Sequence, residues 1–239
     1  MSVTLVTCYY RIKSKHSFQE YDRWISNLSQ KFNGNIVIFT SSDLEERMKE
    51  SFGERSKVVV KEMKDFYLNQ KYDSEFWEKQ YSMDNPRRHA NRTKECYMIW
   101  NSKFSFLREA IEMNPFQSDM FIWNDIGSLR DGRDISRYPE SKNISPDKID
   151  IIMVRKMRNI EYHQNGVCLS GAMFGGSKDL LLNLCVKYYK CFQDYVDRGL
   201  FIGCDQQLIC TLLHRHPELF NIIKSKDWFY LYKYYQKDQ

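Results

Sequence analysis

The sequence predicts an α/β fold in which a mostly parallel sheet is covered by helices. Two observations carry that expectation. From residue 3 onward, short segments rich in β-branched and aromatic residues alternate with longer segments of helical apolar spacing. The large apolar run Met120 to Trp123 leads straight into Asn124, Asp125 and Gly127. An acid at the end of a buried strand, beside a glycine, is where open α/β sheets place ligands, although Asp and Asn also begin ordinary turns.

The elements follow in order. Val3 to Tyr10 reads as a first strand near the sheet's centre. Its end, Thr7-Cys8-Tyr9-Tyr10-Arg11, combines a hydroxyl, two rings and a cation that would suit a nucleotide base and phosphate, or simply end a strand. Ser17 and Glu20 form a capping box that opens a helix with Phe18, Tyr21, Trp24, Ile25 and Leu28 on its core face. Gly34 closes that helix, Asn35 to Thr40 reads as the second strand, and Ser41 to Asp43 opens another helix. Lys57 to Met63 reads as the third strand. Neither Gly-x-Gly-x-x-Gly after the first strand nor Gly-x-x-x-x-Gly-Lys-Ser/Thr occurs, which disfavours the standard dinucleotide and P-loop sites.

Asp65 to Asn91 is polar, aromatic and expected to be irregular; its Asn85-Pro-Arg-Arg-His-Ala segment is either an anion grip or a solvated loop. Thr93 to Met113 carries the longest helical signal, and Pro115 stops it. Lys103 lies at the edge of that helix's apolar stripe. It either snorkels to solvent or reaches toward the end of the following strand. Arg130 to Pro146 reads as a surface loop and Ile149 to Arg155 as a compact strand, with Lys156, Arg158 and His163 about the next turn. Val167 to Ser177 is strand-like with Gly171, Gly175 and Gly176, which either let the backbone approach a ligand or shape a hairpin. Lys178 to Asp197 reads as a helix, and Gly203-Cys-Asp205-Gln206 opens another that runs through Leu213. Asp205 there is a helix cap unless it also faces a pocket. The aromatic and basic tail from Asp227 is a final strand, a lid or an interfacial segment.

The chain has 239 residues, enough for a sizeable core, and one domain spanning 1–239 is expected. The net charge of +5 is small and scattered, which suits an anionic small molecule or a nearby membrane surface and argues against nucleic acid as partner. Seven cysteines show neither a disulfide framework nor zinc-ligand spacing. With no signal peptide and no apolar run of about 20 residues, a soluble cytoplasmic protein is expected, with peripheral membrane association left open.

These pieces resemble the HtrL/YibB family, whose members look like small glycosyltransferases of the nucleotide-sugar-binding GT-A type. The matching residues are Val6-Thr-Cys-Tyr-Tyr10, Tyr21, Trp24, Ile38-Phe-Thr40, His89, Cys96 to Lys103, Asn114-Pro-Phe116, Phe121 to Gly127 with Arg130, Gly171 to Gly176, and Gly203 to Gln206. The resemblance implies one GT-A-like domain with a mixed, mostly parallel sheet, its nucleotide-binding half at 1–130 and its acceptor-side half at 131–239. It implies transfer of a sugar from a nucleoside-diphosphate donor, UDP-linked by expectation, to a glycan acceptor. Thr7, Tyr9, Tyr10, Lys103, Asn124, Asp125, Gly171, Gly175 and Gly176 would bind or shape the donor site. Asp125 would hold Mn²⁺ or Mg²⁺, and His89 or His163 could complete the ligands. Asp205 and Gln206 would be catalytic, Asp205 as base in an inverting reaction or either one beneath the sugar in a retaining reaction. The sequence departs from the family-type Asp-x-Asp in one respect: Trp123 stands where the first carboxylate is expected. That leaves a non-catalytic nucleotide- or carbohydrate-binding protein as the alternative, with a nucleotidyltransferase on a similar sheet a further rival.

Overall fold

The computed structural model describes residues 2–84, 92–157 and 168–238. Seven strands form one sheet: β1 Val3–Tyr9, β2 Asn35–Thr40, β3 Ser56–Val60, β4 Met120–Asn124, β5 Ile149–Met153, β6 Leu169–Ser177 and β7 Phe220–Lys224. Their order is β3-β2-β1-β4-β6-β5-β7. Neighbours are parallel except at β6, which runs antiparallel to both β4 and β5. The sheet is therefore mixed and mostly parallel, as expected. β1 and β4 lie next to each other with Val6 opposite Trp123, so the ends of both strands open on the same edge.

Helices cover both faces. Phe18–Lys31 and Glu45–Phe52 pack on one face, and Lys94–Met113, Lys178–Asp197 and Asp205–Arg215 on the other. The Ser17–Glu20 capping box is present: Glu20 N donates to Ser17 Oγ at 3.2 Å and Ser17 N to Glu20 Oε2 at 2.8 Å. The Lys94–Met113 helix stops at Asn114, which adopts φ 37° just before Pro115. That stop aims β4 back through the core, where every one of its residues is buried.

Five points of the sequence reading need correction. The 65–91 stretch is not irregular throughout, because Ser74–Ser82 is a helix capped by Asp73, whose Oδ1 accepts from Phe76 N at 2.9 Å. Its Trp77 is buried, which a reading that stressed polarity and aromatic content overlooked. The 35–40 strand is followed by a 3-10 turn over Ser42–Leu44 before the helix begins at Glu45. β7 was not anticipated; its Phe-Asn-Ile-Ile-Lys is only five residues long and follows a Pro217–Leu219 turn. The tail is neither strand nor lid: Leu231, Tyr232 and Tyr235 are fully buried against the sheet. The three late glycines do not bend the chain, since β6 runs continuously from Leu169 through Gly175 and Gly176. All seven cysteines are buried free thiols, and among the described residues no helix is long and apolar enough to cross a membrane.

Candidate functional site

The site lies where the ends of β1 and β4 meet the Lys94–Met113 helix and the start of the Asp205–Arg215 helix. Asp125 follows β4 directly, and its N–H extends the ladder by donating to Ala172 O at 2.8 Å. The turn after it is pinned from both sides. Asn124 Nδ2 donates to Ser128 Oγ at 2.9 Å, and that hydroxyl meets Tyr232 Oη at 2.7 Å. The aromatic tail thus braces the loop that carries the acid.

Lys103 does not snorkel to solvent. Its side chain is 4% exposed, and its ammonium lies 2.9 Å from Asp125 Oδ1, 2.9 Å from Asp205 Oδ2 and 3.0 Å from Gly171 O. One residue from each of four separate segments meets at this point. Burial alone would lower the Lys103 pKa, but the two carboxylates outweigh it and hold the lysine protonated. Burial raises the Asp205 pKa, Lys103 opposes it and Asp125 adds to it, leaving Asp205 at about 6. Trp123 Nε1 donates to Asp125 Oδ1 at 2.8 Å. The residue standing in place of the first carboxylate therefore grips the carboxylate that remains.

Positioning comes from residues that the sequence reading left without a role. Asn101 donates through Nδ2 to Gly203 O at 3.1 Å and accepts from Tyr188 Oη at 2.7 Å. Gly203 has φ +65°, which favours glycine, so this contact ties Lys103's helix to the turn that presents Asp205. Asp205 does not cap its helix by a side-chain bond; Cys204 precedes it, and Cys204 N donates to Gln207 Oε1 at 2.6 Å. Its carboxylate is spent on Lys103 instead. Gly171 is required by close approach, because a Cβ there would collide with the Asp205 carboxylate and come within 2.6 Å of Gln206 Cγ.

A cavity of about 120 Å³ opens beside the triad, walled by Tyr9, Tyr10, Phe18, Tyr21 and Trp100 with Lys103, Asp125 and Arg130. The Arg130 guanidinium stacks 4.4 Å over Trp24 and 5.1 Å over Phe229, and meets His16 Nε2 at 3.2 Å. Burial, then Arg130, lowers the His16 pKa, which favours the neutral ring. His16 carried no sequence signal beyond its place just before the Ser17 cap.

The remaining expected site residues divide. Tyr9 and Tyr10 reach the cavity wall, though Tyr10 also donates through Oη to Lys61 O at 3.0 Å. Thr7 and Asn124 are fully buried and do not line this cavity, Asn124 serving the loop instead. Gly175 and Gly176 lie along β6 away from Gly171, opposite Ile122 and Phe121. A Cβ at Gly175 would meet Ile122 Cγ1 and Tyr235 Oη at 2.9 Å, so it serves packing. Asp205 itself stands behind Lys103 and off the cavity wall. His89, His163 and the Asn85–Ala90 segment lie outside the described residues.

The fit to a divalent cation is narrow. Asp125 Oδ1 is engaged by Trp123 and Lys103, which leaves Oδ2 on a side chain 36% exposed. Among the described residues no three His, Cys, Asp or Glu side chains converge. The residues fit a cation held by one carboxylate and completed by substrate phosphates and water, a mode that Mg²⁺ favours.

This is a mixed α/β sheet with a charged triad and an aromatic cavity at its strand ends, the edge at which open α/β sheets place ligands. The chain belongs to the HtrL_YibB family, described as "Bacterial protein of unknown function (HtrL_YibB)", which it matches over residues 1–237. Among solved structures it is similar to the apo crystal structure of mouse xyloside xylosyltransferase 1, at 14% identity and a TM-score of 0.48, covering 93% of this chain and 85% of that one. No curated protein matches it.

Proposed function

We propose that the chain is a glycosyltransferase that takes a sugar from a nucleoside-diphosphate donor, UDP-linked, and passes it to a glycan acceptor. The observation that carries this reading is Lys103, a buried cation held between Asp125 and Asp205 beside an aromatic cavity at the strand ends. The cavity has room for a ring system rather than a whole nucleotide. A base would enter among Tyr9, Phe18 and Tyr21, and the diphosphate would lie across the open mouth toward Arg130. On this reading residues 1–130 form the donor side, residues 131–239 form the acceptor side, and the protein works in the cytoplasm, where its free thiols stay reduced.

The leaving diphosphate accumulates negative charge, which fixed positive groups must offset. Lys103 and Arg130 are the cations on the cavity wall. One lysine faces two carboxylates here, so a divalent cation on Asp125 would supply the further positive charge. Asp205 has a pKa of about 6, suited to accepting a proton at neutral pH. It is the leading base for an acceptor hydroxyl, and Gln206 beside Gly171 is the group nearest it for a retaining reaction.

The test is thermal unfolding with a panel of nucleotide sugars, with and without Mn²⁺ or Mg²⁺. A UDP-linked donor is expected to raise Tm when metal is present; a ligand at one hundred times its Kd contributes about 2.7 kcal/mol. Asp125→Ala should lose that shift, and its survival in full would overturn the assignment of the metal ligand. Trp123 in place of a carboxylate favours a second reading, a binder that has lost transfer. Metal-dependent binding with no donor turnover across the panel would select it.

A further inference from the structure

A second and larger hollow, of about 790 Å³, lies on the far side of β6 at the same edge of the sheet. Its apolar surface comes from Met153, Met157, Leu213 and Ile222. Its rim carries Arg155, Lys156, Lys224 and Lys226, all four exposed. Among the described residues none of these four cations has an ion-pair or side-chain hydrogen-bond partner, and no residue lining the hollow is acidic. The described carboxylates nearest to Lys224 and Lys226 in the chain are engaged elsewhere. Glu218 lies 3.4 Å from His216 Nδ1, and Asp227 accepts from Arg133 at 3.0 Å.

The rim is built by the fold. Met153 of β5 pairs with Lys224 of β7, and Val154 and Arg155 both donate backbone N–H to Cys168 O, at 2.8 and 3.3 Å. This turns Arg155 out over the hollow while Met153 and Ile222 stay beneath. The Asp205–Arg215 helix connects the hollow to the triad: eight residues separate Asp205 from Leu213, about 12 Å of helix axis.

The chemistry of the hollow narrows its occupant. A saccharide needs polar partners for its hydroxyls and commonly an aromatic face. Among the described residues that line it there is no Phe, Tyr or Trp, His214 supplies the one aromatic ring, and Ser225 is the single hydroxyl side chain. An apolar floor with a cationic rim matches a chain attached to an anion. We infer that this hollow receives an anionic amphiphile, with a lipid phosphate on the rim and the first part of its chain on the floor, and so seats the protein on an anionic membrane surface. If the transferase reading holds, the acceptor is presented from that surface; the binding itself does not depend on that reading.

Sedimentation with phosphatidylcholine vesicles, with and without phosphatidic acid, tests the inference. Binding is expected only with the acidic lipid, and it should weaken as salt is raised. A basic residue held at an anionic surface contributes about a fivefold factor, so Lys224→Ala/Lys226→Ala should bind about 25-fold more weakly. Met157→Gln should weaken binding and leave the salt dependence unchanged. Asp205→Asn should bind vesicles as the wild type does. Wild-type binding by the double variant overturns the inference, as does displacement by glucose 6-phosphate as effective as that by lysophosphatidic acid. Vesicle binding without any nucleotide-sugar binding sinks the transferase reading alone. Nucleotide binding without vesicle binding sinks this inference alone.

Discussion

Two buried aspartates, one within the sheet and one at the start of a helix packed on it, show how differently the two ends of the strands are furnished. Asp150 sits near the start of β5 and Asp205 at the opposite end of the strands, and both are almost wholly shielded from water. Asp150 accepts from neutral donors only: Ser145 N at 2.9 Å, Asn221 Nδ2 at 2.7 Å and Tyr235 Oη at 3.0 Å. Burial raises its pKa and those donors pull it back. Asp205 instead meets a lysine ammonium that touches a second, partly exposed carboxylate. A saturated shell of neutral donors holds a carboxylate for structure. A shared cation beside a cavity leaves charge to be redistributed when a ligand arrives, which is what the proposed reaction would draw on.

The largest expected effect is on the Asp205 side. Asp205→Asn should lower donor turnover by about 10²- to 10⁴-fold, the range of general acid–base catalysis. A loss confined to kcat, together with loss of a pH limb near 6, would identify a base. A change in KM with the limb retained would show that Asp205 only positions Lys103.

The same carboxylate sets the pH dependence. Its folded pKa of about 6 lies above the ordinary carboxylate value of about 3.9. The folded state therefore binds the proton more tightly, and Asp205's contribution to stability falls as pH rises from about 4 to about 6. Turnover that uses the ionised form should fall in the other direction, as pH drops through 6. An activity profile flat across that window would remove Asp205 from the proton transfer.

Gly171→Ala sharpens the comparison further. The added methyl would strike the Asp205 carboxylate and Gln206 Cγ, so donor turnover should fall by at least tenfold, while stability drops by about 1–3 kcal/mol through overpacking. The smallest effect on activity belongs to the opposite end of the strands. Asp150→Asn should cost about 1.5–3 kcal/mol in chemical unfolding, the scale of hydrogen bonds to a charged group, with donor binding unchanged. A loss of donor binding there would break the distinction between the two ends.

Much of the fold was legible because local signals agreed with one another. The helix at 178–197 and the strand at 35–40 lie where apolar spacing places them. β7 was not legible, since five residues pairing along β5 need the rest of the sheet to become a strand. The Ser74–Ser82 helix was obscured because its polar exterior dominates its composition, while Trp77, with Phe76 and Tyr81 beside it, packs it on the core.

At the site, the sequence by itself determined the residue types at two strand ends: rings after β1, an acid with a glycine close behind after β4. It also determined the absence of a second carboxylate at position 123. Only the tertiary structure decided the fate of Lys103, because its partners lie 22 and 102 positions away in the chain and periodicity describes a helix face, not what packs against it. The same holds for Trp123. As a letter it is a missing ligand; in the fold its indole N–H holds Asp125 in place.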